Sequence, residues 1–214
     1  MIKAKTNPKR LSAAQRRIHD AALRLFAAKG STDISVSELA AAAGVARGTI
    51  YNNLESPERL FRQVAAQLAE DMDERVAASY VGIDDPAERI AIGMRLYIRR
   101  AHEEPHWARF LLNFSYTNDA LRKLWGGPPM RDLMQGVESG RFTIQSDQLL
   151  SGLGAITGMT LSAIMGVVDG LRTWRDAGAD AAELTLRALG VAADDARQIA
   201  TRELPALADA HAGT

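Results

Sequence analysis

Within the stretch "GVARGTIYNNL", Gly44 to Leu54, lie Arg47, Gly48, Thr49, Tyr51, Asn52 and Asn53. These side chains suit recognition of duplex base edges and phosphates. Arg, Thr and Asn hydrogen-bond base edges, and the Thr methyl meets the thymine methyl. Tyr51 and Asn53 are placed to donate to phosphate oxygens, which sets register without reading sequence. Gly48 removes a Cβ where a groove would approach, at a cost of about 1 kcal/mol relative to alanine in a helix. A solvated surface helix would carry Lys or Glu at these places.

That chemistry needs a helix with one buried side. With Ile50 as origin and 100° per residue, Leu54 falls at about 40°, while Gly48 and Asn52 fall at about 160° and 200°. Ile50, Leu54 and Val45 therefore face inward, and Arg47, Gly48, Thr49, Tyr51 and Asn52 face out. The helix N-terminus adds free N–H groups and a partial positive charge. A short helix precedes it, opened by Ser35 with Glu38 three residues on, a capping-box pattern, and closed by Gly44. Ser35 and Ser37 at its start are further phosphate-contact candidates. Before it, "SAAQ" marks a capping box at Ser12, and Ile18, Ala22, Leu25 and Phe26 form one apolar stripe up to Gly30. Two short helices on a longer one make a helix-turn-helix.

Charge supports a polyanion partner. The chain is neutral overall, yet residues 1–62 carry 11 Lys/Arg against 5 Asp/Glu, and the rest carry 15 against 21. A basic front on an acidic body points to nucleic acid at the front. Lys9 and Arg10 sit in a basic N-terminal arm. Cysteine is absent, which excludes a disulfide scaffold and thiolate chemistry and suits a cytoplasmic location. No apolar run follows the basic start, so no signal peptide is expected.

The segment "AALRLFAAKGSTDISVSELAAAAGVARGTIYNNLESPERLF", within about residues 14–64, resembles the N-terminal domain of the TetR (tetracycline-repressor) family of bacterial transcription regulators. Three positions depart from the usual pattern. Ala46 stands where Ser or Thr caps the recognition helix, Asn53-Leu54 where His-Phe is common, and Pro57 where a phosphate-touching Lys is frequent. The resemblance implies a repressor that binds a palindromic operator as a dimer and is released by a small-molecule effector. It also implies a fourth helix, here about 57–79, that links effector site to DNA-binding domain.

The expected fold is all-α. Residues 1–56 form the arm and a three-helix DNA-binding domain, and residues 57–214 form a helical ligand-binding and dimerisation domain. "SPERL" caps a helix at Ser56 with Pro57 at its first position. Further helices open at Asp85-Pro86, in "EPHWARFLLNF" and in "NDALRKLW". "GGPP" breaks the chain before "MRDLMQGV". A long apolar helix spans about Ser146–Gly170, and two more cover about 179–189 and 193–204. No sustained period-2 alternation suggests strands.

Met94, Tyr97, Trp107, Phe110, Asn113, Phe114, Met134 and Met159 are candidates for an effector pocket, since such pockets are apolar with a few placed polar groups. The identity of the effector stays open, with an apolar or aromatic molecule preferred. Gly154, Gly158, Ser162 and Gly166 recur every four residues and form a small ridge for close helix packing. With Leu184 they are the candidate homodimer interface. The uncharged run Leu149–Val168 is long enough to span a bilayer, but its glycines and the lack of flanking Trp or Tyr argue against membrane insertion.

No catalytic constellation is present. HExxH and G-x-S-x-G are absent, and the four histidines are scattered, so no enzyme activity, metal or cofactor is expected. The alternative is a helical ligand-binding or scaffold protein without sequence-specific DNA binding.

Overall fold

The structure is a computed structural model that describes residues 12–54 and 56–208, apart from the side chains of Ala120, Lys123, Leu124 and Trp125. All the regular secondary structure among the described residues is helical, with no strand among them. The chain divides into two compact units, Met1–Val64 and Ala65–Thr214, and the division falls inside the helix Pro57–Ser79.

The first unit holds α1 (Ala13–Lys29), α2 (Val36–Ala43), α3 (Arg47–Asn53) and the start of α4 (Pro57–Ser79). Both capping boxes form. Ser12 accepts from the Gln15 N–H and Ser35 from the Glu38 N–H, and Gln15 and Glu38 return the bond to the cap backbone. The Ser56 hydroxyl accepts from the Arg59 N–H at the head of α4. The α2–α3 turn depends on Gly44, which closes α2 at φ 62°. A side chain there would meet both the left-handed backbone penalty and the Arg17 guanidinium, which lies 2.8 Å from an added Cβ and donates to the Gly44 carbonyl. Ile18, Ala22 and Phe26 of α1, Leu39 of α2, Ile50 of α3 and Leu60 are buried together as the core. Phe26 and Phe61 meet edge to face at 5.1 Å, a favoured aromatic geometry.

In the second unit the hub is α5 (Pro86–Glu103), capped by Asp85, whose carboxylate accepts from the Ala87 N–H. It packs against α8 (Pro128–Glu138), α9 (Leu149–Val168) and α10 (Trp174–Ala188). Around it lie α6 (Pro105–Phe114), α7 (Asp119–Gly126) and α11 (Ala193–Thr201). Boundaries shift modestly from those read in the sequence. Ser146–Gln148 is a 3-10 turn ahead of α9. α10 starts at Trp174 rather than 179, because the Thr173 hydroxyl caps it by accepting from the Asp176 N–H. α11 ends at Thr201, before Pro205.

Charged side chains stitch the unit together. Arg141 pairs with Asp85 and Asp195, tying the loop after α8 to the starts of α5 and α11. Buried Arg100 on α5 donates to Asp71 on α4 at 2.7 Å and to Glu104, and stacks over Trp107 at 4.8 Å. The C-terminal segment reaches α4, where Arg75 donates to the Ala208 carbonyl at 2.7 Å and Ser79 accepts from its N–H. Ser146–Val168 is long and apolar enough to cross a membrane, with mean hydropathy 1.5. Its Ile156, Thr160, Leu161 and Ile164 are nonetheless buried in the bundle.

Candidate functional site

α3 presents two distinct sides. Ile50 is completely buried, whereas Arg47, Gly48, Tyr51, Asn52 and Asn53 are exposed and Thr49 is half-buried. Tyr51 stands 68% exposed, a large aromatic with no packing role in the unit. A Cβ on Gly48 would meet no atom within 4 Å, so nothing inside the unit requires glycine there. Leu54 has left the helix as its extended C-cap and is half-buried, as is Val45. The anchoring of α3 thus falls chiefly on Ile50.

Ala46 caps α3 without a side-chain hydrogen bond, as an alanine must. At the other end Asn53 donates its amide to the Thr49 carbonyl at 2.8 Å, which secures the last turn. One amide N–H and the carbonyl oxygen of Asn53 remain for other partners. Ser35 and Ser37 are exposed at the start of α2. The Ser35 hydroxyl oxygen accepts from the Glu38 N–H, and the Ser35 side chain also bonds the Glu38 carboxylate. Glu38 is locked by Lys29 at 2.7 Å and by the Ser35 N–H, and these bonds hold its carboxyl down at about 2.

In the second unit a cavity of about 40 Å³ lies between α5, α8, α9 and the end of α4. Its walls are mainly apolar, with Ile90, Met94, Tyr97, Pro128, Pro129 and Ile156. Tyr80, Arg89, Asp132 and Thr160 also line it, yet almost no polar surface is turned into the cavity. Thr160 donates to the Ile156 carbonyl within α9. Arg89 donates to Asp132 at 2.8 Å, to the carbonyls of Ile83 and Asp84, and to Gln135. Burial pushes the Asp132 carboxyl up from its ordinary value, against the opposing pull of Arg89. Burial, then the Asp132 charge, raises the Tyr80 phenol. Nearby, burial lifts Asp73 to about 6, with Arg131 pulling it down.

Known proteins carry both halves of this arrangement. A model described as "Tetracyclin repressor-like, C-terminal domain" matches residues 85–202, and one described as "Bacterial regulatory proteins, tetR family" matches residues 18–64. The chain belongs to the TetR family. Within that family, the structure of RolR in complex with resorcinol is 30% identical, with a TM-score of 0.69 over 91% of this chain and 96% of that one. A tetR family transcription regulator from Shewanella sp. PV-4 has the same fold at 20% identity, with a TM-score of 0.72 over 85% of this chain and 100% of that one. HTH-type transcriptional regulators of two Mycobacterium tuberculosis strains are 29% identical over 97 residues, 45% of this chain and 48% of theirs. The chain spans about half the length of these curated relatives.

For this TetR-family chain, Ser35, Ser37, Arg47, Gly48, Tyr51, Asn52 and Asn53 are exposed and Thr49 is half-buried, while Lys9 and Arg10 lie outside the described residues. The effector-pocket candidates divide. Met94 and Tyr97 line the cavity. Trp107, Phe110 and Phe114 are buried in aromatic packing, with Trp107 against Tyr97 at 5.8 Å and Phe110 against Phe114 at 5.0 Å. Asn113, Met134 and Met159 are exposed and are not part of the cavity wall. Sequence reasoning missed Tyr80, Arg89, Pro128, Pro129 and Asp132. The available signal was "PPMRD" after the Gly126-Gly127 break, where a helix start brings two rigid prolines and an acid to one end of α8.

Among the proposed interface residues, Gly154 and Ser162 are exposed, and Gly158 and Gly166 are half-buried. No atom lies within 4 Å of a Cβ built on any of the three glycines. Met165 and Leu184 are 52% and 49% exposed, so α9 and α10 both show apolar groups to solvent. No group of three or more His, Cys, Asp or Glu among the described residues could hold a metal ion.

Proposed function

We propose that this TetR-family chain is a cytoplasmic, homodimeric repressor that binds a palindromic operator through α3 and leaves it when a small molecule occupies the cavity of the second unit. The observation that carries the reading is α3 itself. Arg47, Gly48, Tyr51, Asn52 and Asn53 are solvent-facing above a single fully buried anchor, Ile50. Base-reading, phosphate-binding and close-approach groups share one short helix, and residues 1–62 around it hold 11 Lys/Arg against 5 Asp/Glu, a net positive charge.

Arg47, Thr49 and Asn52 read base edges; Tyr51, Asn53, Ser35 and Ser37 hold phosphates; Lys9 and Arg10 add charge from the arm. Two copies of α3 must enter successive major grooves about 34 Å apart. The open glycine ridge Gly154, Gly158 and Gly166, with Ser162 and Leu184, supports pairing through α9 and α10. Release requires an effector with higher affinity for a conformation whose α3 separation no longer matches the duplex. The resorcinol complex of RolR supports a small-molecule effector for this chain.

The test is a gel shift of the full chain on the DNA flanking its own gene, at about 50 and 200 mM salt. Specific retardation that weakens by orders of magnitude at the higher salt supports the reading. Retardation no stronger than on scrambled duplex at low salt rejects it.

A further inference from the structure

On the proposed reading, α3 must leave the α2–α3 turn at one angle, and little inside the helix fixes that angle. It has seven residues, no side-chain hydrogen bond at its N-cap and one fully buried anchor, Ile50. Seven residues span about 10 Å, so a tilt of about 10° at the turn moves the far end by about 2 Å. A base-edge hydrogen bond tolerates only about 0.5 Å.

The backbone of the turn is nearly closed on itself. The Gly44 N–H donates to the Ala41 carbonyl at 3.2 Å and the Val45 N–H to the Ala40 carbonyl at 3.1 Å, the paired closure of a helix that ends on a left-handed glycine. The Thr49 N–H donates to the Ala46 carbonyl at 2.9 Å and starts α3. The Gly44 carbonyl is left over, and Arg17 takes it, donating from Nη2 on α1 at 2.8 Å. Among the described residues, no other side chain hydrogen-bonds Gly44, Val45 or Ala46. α2 has no basic residue in its last turn, so the cation that complements its C-terminal dipole also comes from Arg17. Lys29, farther along α1, pairs at 2.7 Å with Glu38 near the opposite end of α2. α1 therefore holds α2 at both ends, and Arg17 holds the end from which α3 departs.

Arg17 and Gly44 are both exposed, so water replaces the bond when it is lost and the fold loses little stability. What the bond restricts is direction. We infer that Arg17 is a positioning residue for operator recognition: its bond to the Gly44 carbonyl sets the angle at which α3 leaves the turn, and it does so without touching DNA. This rests on the proposed role of α3 as the operator-reading helix. The test compares Arg17→Ala and Arg17→Lys with the parent chain in gel shifts on the DNA flanking its own gene and on scrambled duplex. Amide hydrogen exchange of the free proteins is measured alongside. Alanine keeps the helix propensity of α1, and lysine restores a donor of similar reach. Arg17→Ala should lose about ten-fold or more on the flanking DNA while staying within about two-fold of the parent chain on scrambled duplex. Arg17→Lys should recover most of that loss. The Val45 amide should exchange several-fold faster in Arg17→Ala, while the Leu39 amide inside α2 keeps its rate.

Equal weakening on both duplexes, with a salt slope reduced by about 1, overturns the inference by making Arg17 a phosphate contact. Faster exchange spread evenly over α1, α2 and α3 overturns it by making the bond a general support of the fold. Unchanged discrimination by Arg17→Ala overturns it alone, provided the parent chain selects the flanking DNA. A parent chain that binds that DNA no better than scrambled duplex defeats the operator reading itself, and this inference with it.

Discussion

Arg100 and Asp71 form a 2.7 Å ion pair that joins α5 to α4, with the Arg100 side chain only 6% exposed. The same guanidinium covers the Trp107 ring and holds Glu104. Removing it leaves the partly buried Asp71 carboxylate with only the longer 3.7 Å pairing to Arg75, and uncovers an indole. Arg100→Ala should destabilise the second unit by about 3 kcal/mol. Asp71→Asn should cost less, because Glu104 still serves Arg100. Urea unfolding followed by tryptophan fluorescence ranks the two.

Gly48 offers a clean separation of stability from binding. Its added Cβ meets nothing, and its position is inside a helix. Gly48→Ala should therefore stabilise the first unit by roughly 0.5–1 kcal/mol. On the proposed reading the same methyl intrudes on the duplex and weakens operator binding. A raised melting temperature together with weaker gel shifts is the expected pair of results; unchanged DNA affinity would remove Gly48 from the interface.

Arg47→Ala and Tyr51→Ala should each lower operator affinity without altering the circular dichroism melt, because neither side chain is buried. A lost base contact from Arg47 corresponds to about 1–3 kcal/mol and relaxes discrimination at one base pair. Loss of the Tyr51 phosphate bond should weaken all sequences alike. Operator variants titrated in parallel distinguish the two roles.

Asp73 makes stability depend on pH in a defined direction. Burial, the largest influence, raises its carboxyl from 3.8 to about 6. The folded state therefore binds the proton more tightly than the unfolded chain, and stability falls as pH rises from about 4 to 6. A shift of that size corresponds to roughly 3 kcal/mol, and water on its exposed side reduces this to about 1 kcal/mol. Asp73→Asn should raise the melting temperature at pH 7 and flatten its slope across that window in calorimetric scans.

Two glycines should respond oppositely to substitution. A Cβ on Gly136 would lie 2.0 Å from the Phe142 ring, so Gly136→Ala should destabilise the monomer by about 2 kcal/mol or more. Gly158 has open space around its Cβ, so Gly158→Arg should leave the fold intact. If α9 pairs with a second copy, that arginine should convert the dimer to monomer in sedimentation velocity. An unchanged dimer would move the interface away from this ridge.

The α3 surface was legible in the sequence because everything that defines it is local. Ser35 and Glu38 sit three residues apart, Gly44 supplies a left-handed turn, and a 100° step around Ile50 sorts inward from outward. Leu54 escaped this logic. Its position around the helix predicted burial, but the chain turns extended there and leaves it half-buried.

What sequence alone determined about this protein is therefore its helices, their caps, the helix-turn-helix and the face that α3 turns outward, since hydrogen-bonding patterns and helical periodicity act over a few residues. Only the tertiary structure decided which side chains of the second unit enclose the cavity. Trp107, Phe110 and Phe114 were consumed by core packing, whereas Tyr80, Arg89 and Asp132 converged from distant segments. A cavity is the space that packed helices leave between them, and Arg89 becomes tolerable there only once Asp132 folds in beside it.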